Sequence, residues 1–300
     1  ITNAFSYSSS LIAIDGTDLR LPYLAAPGKI VVDIGTAIYV LARQAGEGND
    51  RFDQQGDYRL DDVERENLEF VSKNYQNFIV VVNAGGVIDV SFLDTLHVSA
   101  LVYYVQGGEE GGNALADVLS GKVNFSGNLA TSWAYRFEDI PSNTTYSYLA
   151  PDKHNQEYNE GIYVGYRYFD AVGKKALYPF GYGLSYTTFS YSNLSIRKLD
   201  TYHVIVSCEV KNIGTMDSDE VVQLYLDDVE SSVVTPPMLL KGFQRIHLKA
   251  GESKELTFHL DYDSFKLMDI RYNWTVEPGK FRILIGASSN DIRLEGTIIL

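Results

Sequence analysis

The stretch richest in chemistry is Arg43-Gln-Ala-Gly-Glu47-Gly-Asn-Asp50-Arg51, where a carboxylate sits between two glycines. Gly46 and Gly48 allow backbone angles closed to other residues and let a ligand approach the main chain closely. A carboxyl group held in such a turn acts as a general acid when its surroundings raise its pKa. The same residues also describe one more solvated acid in a glycine turn, and local sequence leaves both readings open. Asp50 and Arg51 either pair with each other and pin the loop, or contact a substrate directly.

Other candidates are weaker. Gly107-Gly-Glu-Glu-Gly-Gly112 follows a strand and opens a helix, so its N–H groups could cradle an anion. It lacks the dinucleotide GxGxxG spacing and the Walker Lys-Ser/Thr, which argues against a nucleotide. Asn83-Ala-Gly85-Gly86 is a sharp strand-end turn. His97, His154, His203, His247 and His259 are scattered without metal-ligand spacing, so no metal and no cofactor is expected. No GxSxG elbow is present. The single cysteine, Cys208, lies in an alternating apolar run and reads as a small core hydrophobe. Tyr158, Tyr163, Tyr166, Tyr168 and Phe169 crowd one short stretch; they either stack on sugar faces or seal protein surfaces together.

The elements that position these residues fall into two kinds. Over residues 30–135, apolar runs Thr36–Ala42, Phe78–Val82 and Ala100–Val105 read as parallel strands covered on both faces. Asp61 followed by Glu64 is a helix-start signature, with Leu68, Val71 and Tyr75 on one helical face. A second helix is expected over Asn113–Ser120, stopped by Gly121. The Glu47 loop therefore leaves the carboxyl end of a parallel strand, where open α/β sheets bind ligands. Residues 1–29 are polar and proline-interrupted and make poor strand or helix candidates, so this α/β domain reads as incomplete.

From about residue 187 the period switches to two. Val204/Val206/Cys208, Val222/Leu224/Leu226, Leu256/Phe258/Leu260 and Phe281/Ile283/Ile285 alternate with polar residues, separated by turn chemistry. That is the pattern of an immunoglobulin-like sandwich, and its strand faces show no convergent polar cluster. The expected division is a partial α/β domain over 1–135, an aromatic-rich wrapping linker over 136–186, and an all-β sandwich over 187–300.

The 300 residues carry a formal charge of −14 and 45% hydrophobic residues. Such a balance supports a real core and argues against nucleic acid or an anionic membrane surface as partner, since both require clustered Lys and Arg. No run approaches the roughly 20 apolar residues that span a bilayer. The first residues, Ile-Thr-Asn-Ala-Phe, show neither an initiator Met nor a basic n-region. A processed chain or a fragment is expected, with no signal peptide in view and the compartment, cytoplasmic or secreted, left open.

Five segments together resemble glycoside hydrolase family 3, the β-glucosidase/β-xylosidase family. They are AGEGNDR (45–51), GGNALADVLSGKVNFSGNLATSW (111–133), EYNEGIYVGYRYFD (157–170), YPFGYGLSYTTF (178–189) and LLKGFQRIHLKAGESKEL (239–256). They occur in the family's order and cover most of residues 36–290. The resemblance implies a C-terminal α/β sandwich domain and a fibronectin-III-like domain, completed in the family by a TIM-type barrel. It also implies retaining, exo-acting hydrolysis by two carboxylates, with the acid/base in the GEG loop, here Glu47, and an Asp nucleophile on the barrel. No barrel and no Ser-Asp-Trp-type nucleophile motif is found in these residues, so the chain alone is expected to be inactive. The barrel segment and a small β-glucoside or oligosaccharide are the implied partners; a homo-oligomer is left open. Residues 45–59 and EGIYVGYRYFD are most similar to rumen-type members with permuted domain order. A non-catalytic carbohydrate-binding or scaffolding module is the alternative, and the choice of glucoside over xyloside is not fixed.

Overall fold

The computed structural model describes residues 35–43, 51–145, 152, 154–155 and 157–300, and the backbone of 10–14. The chain divides into two compact units, residues 1–122 with 136–157, and residues 123–135 with 158–300.

The first unit is built on a four-stranded sheet in the order β1 (Ser10–Ile14), β2 (Thr36–Arg43), β3 (Asn77–Ala84), β4 (Ala100–Tyr103). β2, β3 and β4 run parallel, while β1 pairs antiparallel to β2. The strand at Ser10–Ile14 was not expected in the polar N-terminal stretch; it adds an antiparallel edge to an otherwise parallel sheet. Ile38, Val40 and Val81 form one buried face with Leu115 of helix α2 (Gly111–Leu119). Tyr39, Leu41, Val80 and Val82 alternate to the other face and are equally buried. Burial on both faces is why these strands read as unbroken apolar runs rather than alternating ones.

Helix α1 (Asp62–Asn74) starts at the expected capping box: the Asp61 carboxylate accepts the Glu64 N–H, and the Glu64 side chain accepts the Asp61 N–H. β4 stops at Tyr103, short of the expected Val105, because Val105 turns into the left-handed region at φ 58°. Helix α2 begins at Gly111, two residues before the expected start. A Cβ at Gly111 or Gly107 would lie within 2 Å of the Tyr104 hydroxyl, so the two glycines leave room for that ring, which a larger residue would displace.

The second unit is a sandwich of a four-stranded and a three-stranded antiparallel sheet, ordered β13-β12-β7-β8 and β5-β6-β9. The strands are β5 (Phe189–Lys198), β6 (Val204–Asn212), β7 (Ser218–Asp228), β8 (Leu239–Leu248), β9 (Ser253–Leu260), β12 (Lys280–Ser288) and β13 (Asp291–Ile299). A turn of helix α4 (Tyr262–Phe265) and the small hairpin β10 (Leu267–Met268) and β11 (Trp274–Thr275) lie between β9 and β12. The alternating residues of β6, β7, β9 and β12 interdigitate between the sheets, and Cys208 is one of them.

The aromatic stretch packs largely as protein rather than as an open platform. Within it a short helix, α3 (Tyr166–Val172), is bracketed by Gly165 at φ 66° and a left-handed Gly173. Tyr166 stacks on Phe180, meets Tyr225 edge-on, and its hydroxyl accepts the Leu240 N–H. Together with Met238 and Leu284 these rings cover the outer face of the four-stranded sheet. Tyr158, by contrast, is exposed. Among the described residues no helix is long and apolar enough to cross a membrane.

Candidate active-site edge of the α/β unit

Parallel strands bring their carboxyl ends to one edge, and here that edge carries Arg43 of β2, Ala84 of β3 and Tyr103 of β4. Arg43 is the last residue of its strand and the first of the glycine-loop motif. Its guanidinium is buried and its donors are fully engaged. Nη1 and Nη2 reach the two carboxylate oxygens of Glu64 at 2.5 and 2.7 Å. Nε donates to the Asp57 carbonyl at 2.7 Å, and Nη2 also reaches the Arg59 carbonyl at 3.2 Å. Only a guanidinium, with five donors in a fixed fork, can serve all these acceptors at once.

Asp57 closes the return side. Its Oδ1 accepts from Arg51 Nη1 at 2.7 Å and its Oδ2 from the Phe52 N–H at 2.7 Å. The turn following Arg51 is further knitted by Gln54 N–H to Phe52 carbonyl, Gly56 N–H to Arg59 carbonyl, and the Asp53–Arg59 pair, with Gly56 left-handed at φ 77°. Tyr58 beneath it is buried, packs edge-on against Phe137, and has its hydroxyl pushed up to about 12, chiefly by burial. Arg51 lies close enough to Tyr103 for its charge to oppose the upward shift that burial imposes on that phenol.

Of the expected site residues, Glu47 and Asp50 lie outside the described residues. Arg51 is described, and the structure pairs it with Asp57. Arg43, Asp57 and Glu64 had not been singled out as a group. Glu64 was visible only as a capping residue, and nothing in the spacing of 43, 57 and 64 announces that they converge. Among the described residues there is no group of three or more His, Cys, Asp or Glu side chains that could hold a metal ion.

A parallel α/β sheet followed by a fibronectin-type sandwich is the C-terminal architecture of glycoside hydrolase family 3, and the chain belongs to that family as a C-terminal portion. Residues 24–166 match the glycosyl hydrolase family 3 C-terminal domain and residues 220–289 a fibronectin type III-like domain. The chain is 43% identical over 235 residues to thermostable beta-glucosidase B of Acetivibrio thermocellus, covering 77% of this chain and 30% of the relative. It is 34% identical over 321 residues to beta-glucosidase A of Butyrivibrio fibrisolvens, covering 90% and 38%. Beta-glucosidase 3B of Thermotoga neapolitana, solved with α-D-glucose, superposes with a TM-score of 0.82 at 35% identity, covering 87% of this chain and 37% of that one. The chain thus spans about a third of the length of these relatives.

Proposed function

We propose that this chain supplies the general acid/base of a retaining exo-β-glycosidase of β-glucosidase type, with Glu47 as that residue and the Asp nucleophile contributed by a barrel segment. The observation that supports the reading is the anchoring of the chain on either side of residues 44–50. Arg43 fixes the strand end that precedes residues 44–50, and Asp57 holds Arg51 and Phe52, which follow them. A general acid must be held to within a fraction of an ångström of the leaving oxygen, and rigid stems are how a glycine-rich turn achieves this.

In the reaction, protonated Glu47 gives its proton to the glycosidic oxygen while the barrel Asp attacks the anomeric carbon. The C–O bond to the leaving group breaks as the glycosyl–Asp bond forms. Glu47, now a carboxylate, takes a proton from water, whose oxygen displaces the Asp and releases the sugar with retained configuration. Retention requires the two carboxyl groups about 5–5.5 Å apart. Arg51 and Asp50 are assigned to substrate contact in the same loop; Arg51 also pairs with Asp57.

The test is Glu47→Gln in the enzyme complete with its barrel. Turnover of substrates with poor leaving groups is expected to fall by roughly 10²–10⁴-fold, and azide to restore it with a β-glycosyl azide as product. Near-normal turnover would end the assignment. The 300-residue chain, assayed on an aryl β-glucoside with and without the barrel, separates this reading from a sugar-binding module. Activity only on mixing supports the first; sugar binding without turnover in either condition supports the second.

A further inference from the structure

Among the described residues, Val105, Asn193 and Tyr272 are the ones other than glycine that adopt a left-handed backbone, and of these Val105 alone is β-branched, at φ 58°. A branch at Cβ crowds the main chain in that region, whereas glycine enters it freely. Burial does not offset the strain, because Val105 is 45% exposed. Strain of this kind gathers at sites of function. Its place in the fold is specific. The Tyr104 N–H donates to the Val82 carbonyl at 2.9 Å, so pairing with β3 runs through residue 104 and the chain leaves the sheet at Val105. That is the carboxyl edge, shared with Arg43 of β2 and Ala84 of β3.

Phe52 belongs to the same corner. It follows Arg51, whose charge acts on Tyr103, two residues before Val105. Phe52 is 39% exposed although its N–H is pinned to Asp57 at 2.7 Å. β3, the strand between β2 and β4, runs on into Gly85-Gly86, which raise no side chain. A Cβ at Gly86 would have no described atom within 4 Å.

The reaction proposed above decides what meets this edge. A general acid reaches the glycosidic oxygen, the atom that departs with the leaving group. The unit that brings the acid therefore stands on the leaving-group side, and the nucleophile from the barrel meets the sugar that stays behind. A hydrophilic leaving group gains nothing from Val105 and Phe52, whereas an apolar one removes both from water.

We propose that Val105 and Phe52 form an apolar wall for the leaving group, so that the enzyme selects β-glycosides of bulky apolar alcohols and phenols over those with small or hydrophilic leaving groups. This rests on the acid/base reading of the unit and adds the substrate class.

The experiment compares kcat/KM for 4-tert-butylphenyl and phenyl β-glucoside, whose phenols are nearly equal in acidity, in the enzyme complete with its barrel. The native enzyme is expected to favour the bulkier substrate by about tenfold. Val105→Gly and Phe52→Ala are each expected to lower that ratio by about threefold or more. Val105→Gly should keep its melting temperature, since release of strain offsets the freedom that glycine adds to the unfolded chain. Should it melt early, Val105→Thr, which keeps the branch and replaces a methyl with a hydroxyl, takes its place. A native ratio near one, or a ratio unaltered in the folded variants, overturns the proposal. Glu47→Gln is run in parallel. Slow turnover there with an unaltered ratio in the Val105 and Phe52 variants overturns the apolar wall alone; near-normal turnover there overturns the acid/base reading, whatever the ratio does.

Discussion

Arg43 and Glu64 meet through two parallel hydrogen bonds, at 2.5 and 2.7 Å, with both side chains more than nine-tenths buried. One carboxylate thereby serves two elements, because Glu64 also accepts the Asp61 N–H that starts α1. The end of β2 and the start of α1 are fixed by one group.

Breaking this pair by Arg43→Met should cost about 3–5 kcal/mol, since it strands a buried carboxylate. Replacing both partners, Arg43→Met with Glu64→Leu, should recover at least half of that loss. Urea denaturation measures both. A single-variant loss below about 1 kcal/mol would show that the pair is not holding the edge together.

Asp57→Asn acts differently. Its side chain and that of Arg51 are each about one-fifth exposed, so the expected stability loss is near 1 kcal/mol. The larger effect falls on catalysis in the complete enzyme. Hydrolysis of glucosides with poor leaving groups should slow at least tenfold, while activated aryl glucosides change little, because only the former need a well-placed acid. Equal slowing of both would point to a general loss of structure instead.

Burial pushes the Asp170 carboxyl up to about 6, whereas an unfolded chain titrates it near 4. Below about pH 4 both states hold the proton and nothing is lost. Between about 4 and 6 the native state keeps a proton that the unfolded state has released, so raising the pH lowers stability; above about 6 the full penalty is present. Arg282, Asp227 and Glu295 share this face, but desolvation dominates the shift. Asp170→Asn should therefore raise the melting temperature at pH 7 by a few degrees, about 1 kcal/mol after allowance for its partial exposure. At pH 4 it should change nothing. Melting curves at the two pH values decide.

The Cys208 thiol, pushed up to about 11 by burial, should be inert toward iodoacetamide at pH 8 in the native protein and react fully once unfolded. Rapid native labelling would mean that the sandwich opens locally at β6.

What could be read from the sequence follows from how local its cause is. The Asp61–Glu64 capping box, the doubly buried runs of β2 and β3, and the period-two strands of the sandwich are written within a few residues of themselves. Ser10–Ile14 is not: its strand exists because β2 offers an unpaired edge, and the residues alone do not show it. Helix α3 falls within the aromatic-rich linker and is not visible as a periodic run, although Gly173 supplies the left-handed cap that ends it. The candidate site divides the same way. Glu47 is marked by its glycines, but the Arg43–Glu64–Asp57 convergence depends on the fold bringing together a strand end, a turn and a helix start. Likewise Arg282, Asp227 and Glu295 sit on three strands, so no single segment displays them as a cluster.

Residues 123–135 fold with the sandwich although 136–157, which follow them, fold with the α/β sheet. Trp133 bonds main chain to main chain with Tyr178, and Asn124 accepts from Tyr186 while donating to the Asp217 carbonyl. A gene boundary placed at residue 187 would accordingly sever the sandwich from its own cladding, baring Tyr225, Met238 and Leu284 to solvent. Recombination can exchange the two units cleanly only as a pair, which makes the pair, not the sandwich, the heritable module.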